Sequence, residues 1–329
     1  MAIRNSEKFS SCNDVKRFIY YILLLASVSV VRAQNAGSAG AFARMGFGAR
    51  GMAMGNAGTA LGSGNIATYY NPALGAFSDQ RIVAASFGIL AFDRYLNFLS
   101  YTQSIRPTAG ISVGLINAGV RNIDGRDEDG LHTEDYSTNE NQFFLAFSNR
   151  VDPSFSLGIA AKLYYSKLFT DVKSTTVGFD LGAYFQVTEA LGIGITLQDV
   201  NSKYKWDTKD VYGAQAGGPS EDKFPTLRRL GLSYKLPSNL GIITAEFENS
   251  SLGTNNFRAG AEYDIHENFS VRAGADRIDF SDEATGVKPS FGFTLKNTFG
   301  GWVPSIHYAF IAESFAPHGI HMITLSTAF

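Results

Sequence analysis

The sequence predicts an all-β fold, namely a 14-stranded antiparallel transmembrane β-barrel with an N-terminal plug segment. Three observations predict it. From Arg81 onward, segments of about ten residues alternate apolar side chains with polar or small ones, which is the period of a strand with one face in an apolar medium. The connections between these segments alternate between short and long, and the chain stops on an aromatic residue, Phe329.

The composition supports many strands joined by tight turns. The chain has 34 Gly, 15 Tyr and 26 Phe but one Cys, and a formal net charge of -2. It is neither polar enough to be disordered nor basic enough to indicate a nucleic-acid partner.

Residues 1–33 have the pattern of a secretory signal peptide. Basic residues precede an apolar run from Phe18 to Val31, and we expect cleavage after Ala33. The alternative, a transmembrane helix, needs roughly 20 apolar residues, and this run is shorter. Cys12 leaves with the signal, so the mature chain has no thiol for a disulfide or a sulfur metal site.

Two regions follow the predicted signal. Residues 34–80 are rich in Gly and Ala and show no sustained alternation, so they are predicted to form a compact plug. Residues 81–329 are predicted to form the barrel. The fourteen alternating segments begin near Arg81, Tyr95, Ala109, Asn141, Ser154, Thr175, Leu191, Leu227, Leu240, Asn256, Phe269, Ser290, Trp302 and Gly319.

The loop lengths give an independent test of this assignment. Even-numbered segments are followed by short turns such as Arg106-Pro107, whereas odd-numbered segments are followed by longer polar connections, including 121–140 and 201–226. Single-chain barrels have an even number of strands, short periplasmic turns and longer outer loops. A secreted soluble β-sandwich, the alternative fold, has no reason to sort its loops in this way.

The last segment places Ile323, Leu325, Thr327 and Phe329 on one face. Its terminal aromatic residue resembles the C-terminal assembly signal of outer-membrane barrels. We therefore expect export to the outer membrane of a Gram-negative bacterium, with Trp302 and Tyr95 at the membrane interfaces.

Charged residues fall on the predicted inner face of neighbouring segments: Arg258, Glu262, Arg272 and Asp276. A wet lumen tolerates them at little cost, whereas a sandwich core would have to pair all of them. They can brace the barrel as a cross-strand ladder, the favoured interpretation, or line a path for a ligand headgroup.

No motif supports catalysis, a metal site or a cofactor. Gly46, Gly48 and Gly51 match G-x-G-x-x-G but lack the preceding strand of a nucleotide-binding unit, so we interpret them as close-packing positions in the plug. His318 and His321, and the acidic stretch Asp124 to Asp135, fit exposed outer loops better than metal sites, although a calcium loop is conceivable.

One stretch carries a family resemblance. The run Arg44-Met45-Gly46-Phe47-Gly48-Ala49-Arg50-Gly51 through Ala57, followed by Tyr69-Tyr70-Asn71-Pro72-Ala73, resembles the N-terminal region of the FadL/PorV superfamily, and most closely PorV/PorQ-like proteins. Its most diagnostic part is the triplet Asn71, Pro72 and Ala73 after the aromatic pair.

The resemblance implies a fourteen-stranded barrel with the plug inside, and it brings two functions. The first, which we favour from the sequence, is a non-enzymatic protein associated with type IX-like secretion, with secretion proteins or secreted cargo as partners. The alternative is a FadL-like channel for long-chain fatty acids or other hydrophobic small molecules. Outer-membrane lipid surrounds the barrel in both cases.

Overall fold

The computed structural model describes residues 37–62, 68–168, 172–278 and 286–329. The predicted signal peptide, residues 1–33, lies outside the described residues. Among the residues described, no helix is both long enough and apolar enough to cross a membrane.

The main body is one closed antiparallel barrel of fourteen strands. These are β1 Ile82–Ile89, β2 Arg94–Ile105, β3 Ala109–Val120, β6 Asn139–Asp152, β7 Phe155–Lys167, β8 Lys173–Gln186, β9 Leu191–Val200, β12 Leu227–Lys235, β13 Gly241–Ser250, β14 Asn255–His266, β15 Phe269–Ile278, β16 Lys288–Lys296, β17 Val303–Ile311 and β18 Ile320–Ala328.

The barrel closes between its first and last strands. The pairing of β1 with β18 runs from Ile82 opposite Ala328 to Ile89 opposite His321. The predicted fold class is therefore confirmed, and each observed strand begins no more than two residues from its predicted start.

The wall is apolar outside because the side chains of each strand alternate between its faces. On β6, Phe143, Leu145 and Phe147 are exposed on the outer surface, whereas Phe144 and Ala146 are buried inside. Such an outer band is the lipid-facing surface of a transmembrane barrel, where the closed sheet also satisfies every strand edge.

The two rims of the barrel differ as predicted. One carries short turns, among them the 3₁₀ helix η3 (Pro237–Asn239), together with the start of β1 and the end of β18. The opposite rim, the outer rim, carries the long connections. Two of them are more ordered than the sequence suggested, because each of the two folds into a hairpin: β4 Ile123–Arg126 with β5 His132–Tyr136, and β10 Lys203–Asp207 with β11 Pro219–Lys223. The short helix α2 (Lys209–Ala216) lies between β10 and β11.

The described residues 37–62 and 68–77, which precede β1, lie inside the barrel. They include the 3₁₀ helix η1 (Ala41–Arg44), the helix α1 (Gly48–Ala53) and the 3₁₀ helix η2 (Pro72–Phe77). Helix α1 packs against β1 and β15 to β18, whereas η2 packs against β2, β3 and β6 to β8. We call residues 37–80 the plug.

Candidate functional site: the plugged lumen

The plug follows the inner wall rather than crossing the lumen. In chain order, Ala53 lies against β16, Gly55 against β15, Thr59 against β9 and β12, Ala73 against β7 and Gly75 against β3. The described plug residues thus trace more than half of the circumference, so the plug and wall share one long contact.

This contact depends on glycines of the wall, which let two backbones touch. A Cβ added at Gly274 would lie 2.2 Å from the Gly55 nitrogen, and one at Gly194 would lie 2.1 Å from the Thr59 oxygen. Both distances are too short for real atoms, so no other residue fits without moving the plug. The wall glycines where an added Cβ would meet the plug, by its backbone or its side chains, form what we call the glycine belt: Gly110, Gly158, Gly182, Gly194, Gly231, Gly260, Gly274 and Gly292.

The triplet Asn71, Pro72 and Ala73 begins η2 against the wall. The Asn71 side chain accepts a hydrogen bond from the Ala73 nitrogen at 2.9 Å, the N-cap interaction, and Pro72 occupies the first helical turn, where its missing N–H costs nothing. The Asn71 amide also donates to the Thr59 oxygen (2.9 Å) and the Ala183 oxygen (3.0 Å). One side chain thus joins two parts of the plug to β8.

Gly46 and Gly51 lie inside the plug around the Tyr70 hydroxyl, whereas a Cβ at Gly48 would meet only Ser86 and Thr324 of the wall, both at 3.9 Å. A Cβ at Gly51 would lie 2.3 Å from that oxygen, and one at Gly46 would lie 2.2 Å from Asn56 Oδ1. Gly46 and Gly48 also have positive φ angles of 118° and 69°. The Tyr70 hydroxyl accepts from the Phe47 nitrogen at 3.0 Å and donates to Asn56 Oδ1 at 2.8 Å. Gly46 and Gly51 therefore permit close packing around the buried hydroxyl of Tyr70.

A charged network on the inner face of β12 to β15 holds the other side of the plug. Arg50, from α1, donates two hydrogen bonds to the Glu262 carboxylate, at 2.8 and 2.9 Å. Arg272 donates to the same carboxylate and, at 2.6 Å, to Thr294. Two buried guanidinium groups therefore share one carboxylate, and one of the two belongs to the plug.

Arg258 is the centre of the second part of this network. Its guanidinium contacts Glu246 (2.9 Å), Glu248 (3.0 Å) and Asp276 (2.6 Å), and Arg229 reaches Glu248 at 2.6 Å. The structure thus places the four lumen residues singled out in the sequence on one inner face, in contact with each other or with shared partners. Each charge has a partner of opposite sign, which is the geometry of a cross-strand brace.

Two β-bulges supply buried carboxylates to the lumen. The β8–β9 ladder shifts register at Asp199 (φ 58°) and the β14–β15 ladder shifts at Arg277 (φ 58°), next to Asp276. The bulge carboxylate of Asp199 accepts from Lys162 at 3.0 Å and from the Tyr164 hydroxyl at 2.5 Å. Bulges re-aim side chains in this way, and here both turn a carboxylate toward a buried cation.

The lumen is apolar toward the outer rim where the plug faces β1 to β3, β6, β17 and β18. Phe47 and Tyr69 of the plug stack at 5.1 Å, and Phe47 lies 4.7 Å from Phe98 of β2 and 5.9 Å from Phe144 of β6. Further buried aliphatic side chains belong to the same cluster: Leu96, Ile116, Ile311, Ile320 and Met322. Ligand sites for hydrophobic molecules have linings of this kind.

The hairpin β10–β11 covers this apolar region at the outer rim. Tyr204 and Trp206 of β10 are buried, as is Phe224 directly after β11. The Tyr204 hydroxyl donates to Glu140 at 2.8 Å. Between α1 and strands β1, β2, β17 and β18, the space left beside the plug is a cavity of about 40 Å³. An apolar cavity that holds benzene measures about 150 Å³, so this cavity beside the plug is too small for a benzene ring.

The acidic outer loop forms the exposed hairpin β4–β5. Asp124, His132 and Asp135 bring one ligand atom each to within 4.8 Å of one another. The Asp124 carboxylate is already occupied by His132 Nδ1 at 2.7 Å and by Arg126 at 2.5 Å. The hydrogen bond with Asp124 raises the pKa of His132, and the bonds from His132 and then Arg126 lower the pKa of Asp124.

A closed antiparallel barrel with a lipid-facing surface and a folded plug in its lumen defines the class of plugged transmembrane β-barrels. Three solved structures share this fold with the chain. The Pseudomonas putida toluene transporter TodX superposes with a TM-score of 0.58 at 13% identity, covering 86% of this chain and 96% of that one.

The monoaromatic hydrocarbon channel CymD superposes with a TM-score of 0.61 at 15% identity, covering 86% and 97% of the two chains. A FadL homologue of Pseudomonas aeruginosa gives a TM-score of 0.59 at 12% identity, with coverage of 86% and 98%. No family model and no curated protein sequence matches the chain. These likenesses establish a FadL-type fold, and the special closeness to PorV/PorQ remains a prediction.

Several residues of the lumen could not be recognised from the sequence. Arg50 stood inside the quoted plug run but carried no pattern that distinguished it, and Lys162 and Asp199 were not identified as partners. Their signal was present only in part: Lys162 breaks the small-residue face of β7, which marks a buried charge that needs a partner. The partner itself is 37 residues away, at a bulge that alternation does not reveal.

Proposed function

We propose that this protein is a non-enzymatic outer-membrane channel for hydrophobic small molecules. The observation that carries the proposal is the apolar, aromatic cluster in the lumen, formed jointly by wall and plug and covered by the hairpin β10–β11. The solved structures with this fold support it, since two are named as a toluene transporter and a monoaromatic hydrocarbon channel.

The two parts of the lumen, the aromatic cluster and the charged network, differ in how they interact with an apolar molecule. Apolar molecules gain free energy from the aromatic cluster, about 25 cal/mol for each Å² of apolar surface removed from water. They gain no comparable free energy from contact with the charged network around Arg258, because its groups are already paired with each other. The plug fills the space between the two regions, so passage requires the plug or the covering hairpin to move.

The test is uptake of toluene and of a long-chain fatty acid by Gram-negative cells that lack their own hydrophobic channel. Phe144→Ala and Phe143→Ala form a matched pair, because the two rings are neighbours on β6 and point to opposite sides of the wall. We expect expression of the protein to raise uptake. F144A, which enlarges the apolar region, should change the uptake rate, and F143A, on the lipid side, should not. Equal uptake with and without the protein would refute the channel function.

The secretion-associated role predicted from the PorV/PorQ resemblance remains the alternative, and one measurement separates the two. The protein is purified in mild detergent and its co-purifying molecules are identified by mass spectrometry. A bound hydrophobic compound without a protein partner supports the channel. A secreted protein bound in stoichiometric amount, without such a compound, supports the secretion role and contradicts ours.

A further inference from the structure

Phe224 occupies a site that is built like a binding site for an aromatic ring. Its ring meets Tyr164 edge-on at 4.8 Å and Tyr204 at 4.8 Å, and the Arg44 guanidinium lies 5.9 Å from its centre. The plug backbone at Gly40 forms another side, where a Cβ would lie 2.2 Å from the ring. A phenyl group is thus enclosed by two aromatic rings, a cation and a glycine, which is a favourable environment for any benzene ring.

Tyr164, which contacts the Phe224 ring, lies between two wall residues whose polar side-chain atoms lack hydrogen-bond partners among the described residues. Gln142 on β6 and Thr176 on β8 are both directly opposite Tyr164 on β7, so the three side chains lie in a row on the inner face. Gln142 is fully buried at 0% exposure, and within the described part of the chain neither its Oε1 nor its Nε2 has a hydrogen-bond partner. The hydroxyl of Thr176, at 8% exposure, also lacks one.

Unpartnered buried groups destabilise the fold and therefore call for an explanation. An amide offers both a donor and an acceptor, and a hydroxyl does the same. A molecule with one hydroxyl on an aromatic ring offers a donor and an acceptor to one of them, with its ring in the position of Phe224 beside Tyr164 and its hydroxyl toward Gln142 or Thr176.

The surrounding charges select against an anion. Three carboxylates lie near this row: the half-buried Glu140 accepts a hydrogen bond from Tyr204, and the buried Asp199 and Asp180 both pair with Lys162. Among the described residues, Lys162 and Arg44 supply two positive charges against them. A carboxylate ligand would add a further negative charge to a region that already has an excess, whereas an uncharged hydroxyl would not.

We propose that the space occupied by the Phe224 ring is a binding site for uncharged aromatic alcohols of the phenol type, and that Gln142 and Thr176 determine this specificity. The inference rests on the proposed channel function, because the ligand is then the cargo entering from the outer rim. Phe224 holds the site closed until the hairpin β10–β11 moves aside.

The hairpin carries its own reporter for the test. Trp206 is buried on β10 with its ring 5.0 Å from Tyr204, and the other tryptophan of the chain is Trp302, at the opposite rim. In a Trp302→Phe background, titration with phenol and with toluene follows the emission of Trp206 alone. Free tryptophan amide titrated in parallel corrects for absorption by the ligand. Phenol and toluene have nearly the same size and differ in the hydroxyl, so the pair isolates the polar contact.

We expect phenol to change the emission of Trp206, and Gln142→Leu to weaken phenol binding about fivefold, the value of one net hydrogen bond, without weakening toluene. T176V should act in the same direction. The matched control is T196V, since Thr196 is another buried hydroxyl without a partner among the described residues but lies on β9, away from this row.

The outcomes separate this inference from the channel function. If toluene is taken up but Q142L and T196V bind phenol alike, the site assignment is wrong and the channel stands. If phenol binds through Gln142 but neither toluene nor a fatty acid is taken up, the site stands and the channel function fails. If phenol leaves Trp206 unchanged in the folded protein, the inference is overturned.

Discussion

The Glu262 carboxylate of β14 accepts two hydrogen bonds from the Arg50 guanidinium of the plug, at 2.8 and 2.9 Å, across 212 residues of sequence. This is a side-chain ion pair between plug and wall, and both partners are buried. It joins the plug to the same charged network that braces β12 to β15.

Neutralising Glu262 should therefore weaken both the plug and the brace. In Glu262→Gln, Arg50 and Arg272 lose their shared counter-charge in a buried site, and we expect a loss of about 3–5 kcal/mol in the free energy of unfolding. Denaturant unfolding in detergent measures it. E221Q, which removes an exposed pair with Lys203 on the outer hairpin, is the control and should behave as wild type. Equal midpoints for the two variants would contradict the role of Arg50.

Adding one methyl group to the glycine belt should disturb the plug. In Gly274→Ala the new Cβ meets the Gly55 backbone, which cannot rotate away, so we expect a destabilisation of about 1–3 kcal/mol and a larger ionic conductance in planar bilayers. G218A, in the outer hairpin where a Cβ meets nothing within 4 Å, should change neither quantity. An unaltered conductance and stability in G274A would show that the belt does not seat the plug.

The hairpin β4–β5 should be pH-dependent. The contribution of His132, whose pKa is raised, is fully present below about 6.5 and is lost as pH rises through the raised value. The contribution of Asp124, whose pKa is lowered, is present above about 3.9 and is lost as pH falls through the lowered value. The pair therefore holds between the lowered pKa of Asp124 and the raised pKa of His132.

An NMR titration with labelled histidine checks this window. Asp124→Asn should bring the pKa of His132 down toward its ordinary value, because the hydrogen-bonded carboxylate is its largest perturbation. Asp129→Asn, a substitution in the same exposed loop, should leave the titration of His132 as in wild type. A D124N variant in which His132 keeps its wild-type pKa would exclude the pair.

Removing the terminal ring should loosen the rim where the barrel closes. Phe329 stacks on Trp302 with ring centres 4.8 Å apart, and its backbone exchanges hydrogen bonds with Arg81 at 3.0 and 3.1 Å. In Phe329→Ala we expect a loss of about 0.5–1.5 kcal/mol from the aromatic pair and altered Trp302 emission. The control is Phe315→Ala, a ring at 86% exposure on an outer loop. If F329A and F315A refold in equal yield with equal emission, the stacking has no structural role.

The strand pattern was predictable because lipid imposes it on every membrane strand. Most lipid-facing side chains are apolar, so the period of two survives even where the lumen face is mixed, and the strand starts followed directly. The outer hairpins carry no such constraint, and β5 is largely exposed on both faces. The alternation Lys203-Tyr204-Lys205-Trp206 could have revealed β10, since its two aromatic residues point inward.

The lumen was harder to predict than the wall. Residues such as Glu262 and Asp276 were recognisable as inward-facing charges, but their partners depend on which strands become neighbours and on bulges one residue long. Arg50 reaches Glu262 only because the plug curves around the wall, and nothing in a short sequence window encodes that path. The polar row beside Phe224 was likewise missed, since Gln142 and Thr176 become neighbours of Tyr164 only through the ladder.

The closure of the barrel by β1 and β18 has a consequence for biogenesis. The plug immediately precedes β1, yet the ring of strands is completed only when the last residues of the chain pair with that same strand. A growing sheet is open on one side until then, and its open side is the wide entrance for the plug. We therefore expect the glycine belt to receive the plug while the sheet is still an incomplete cylinder, so that the final pairing encloses an interior that is already occupied.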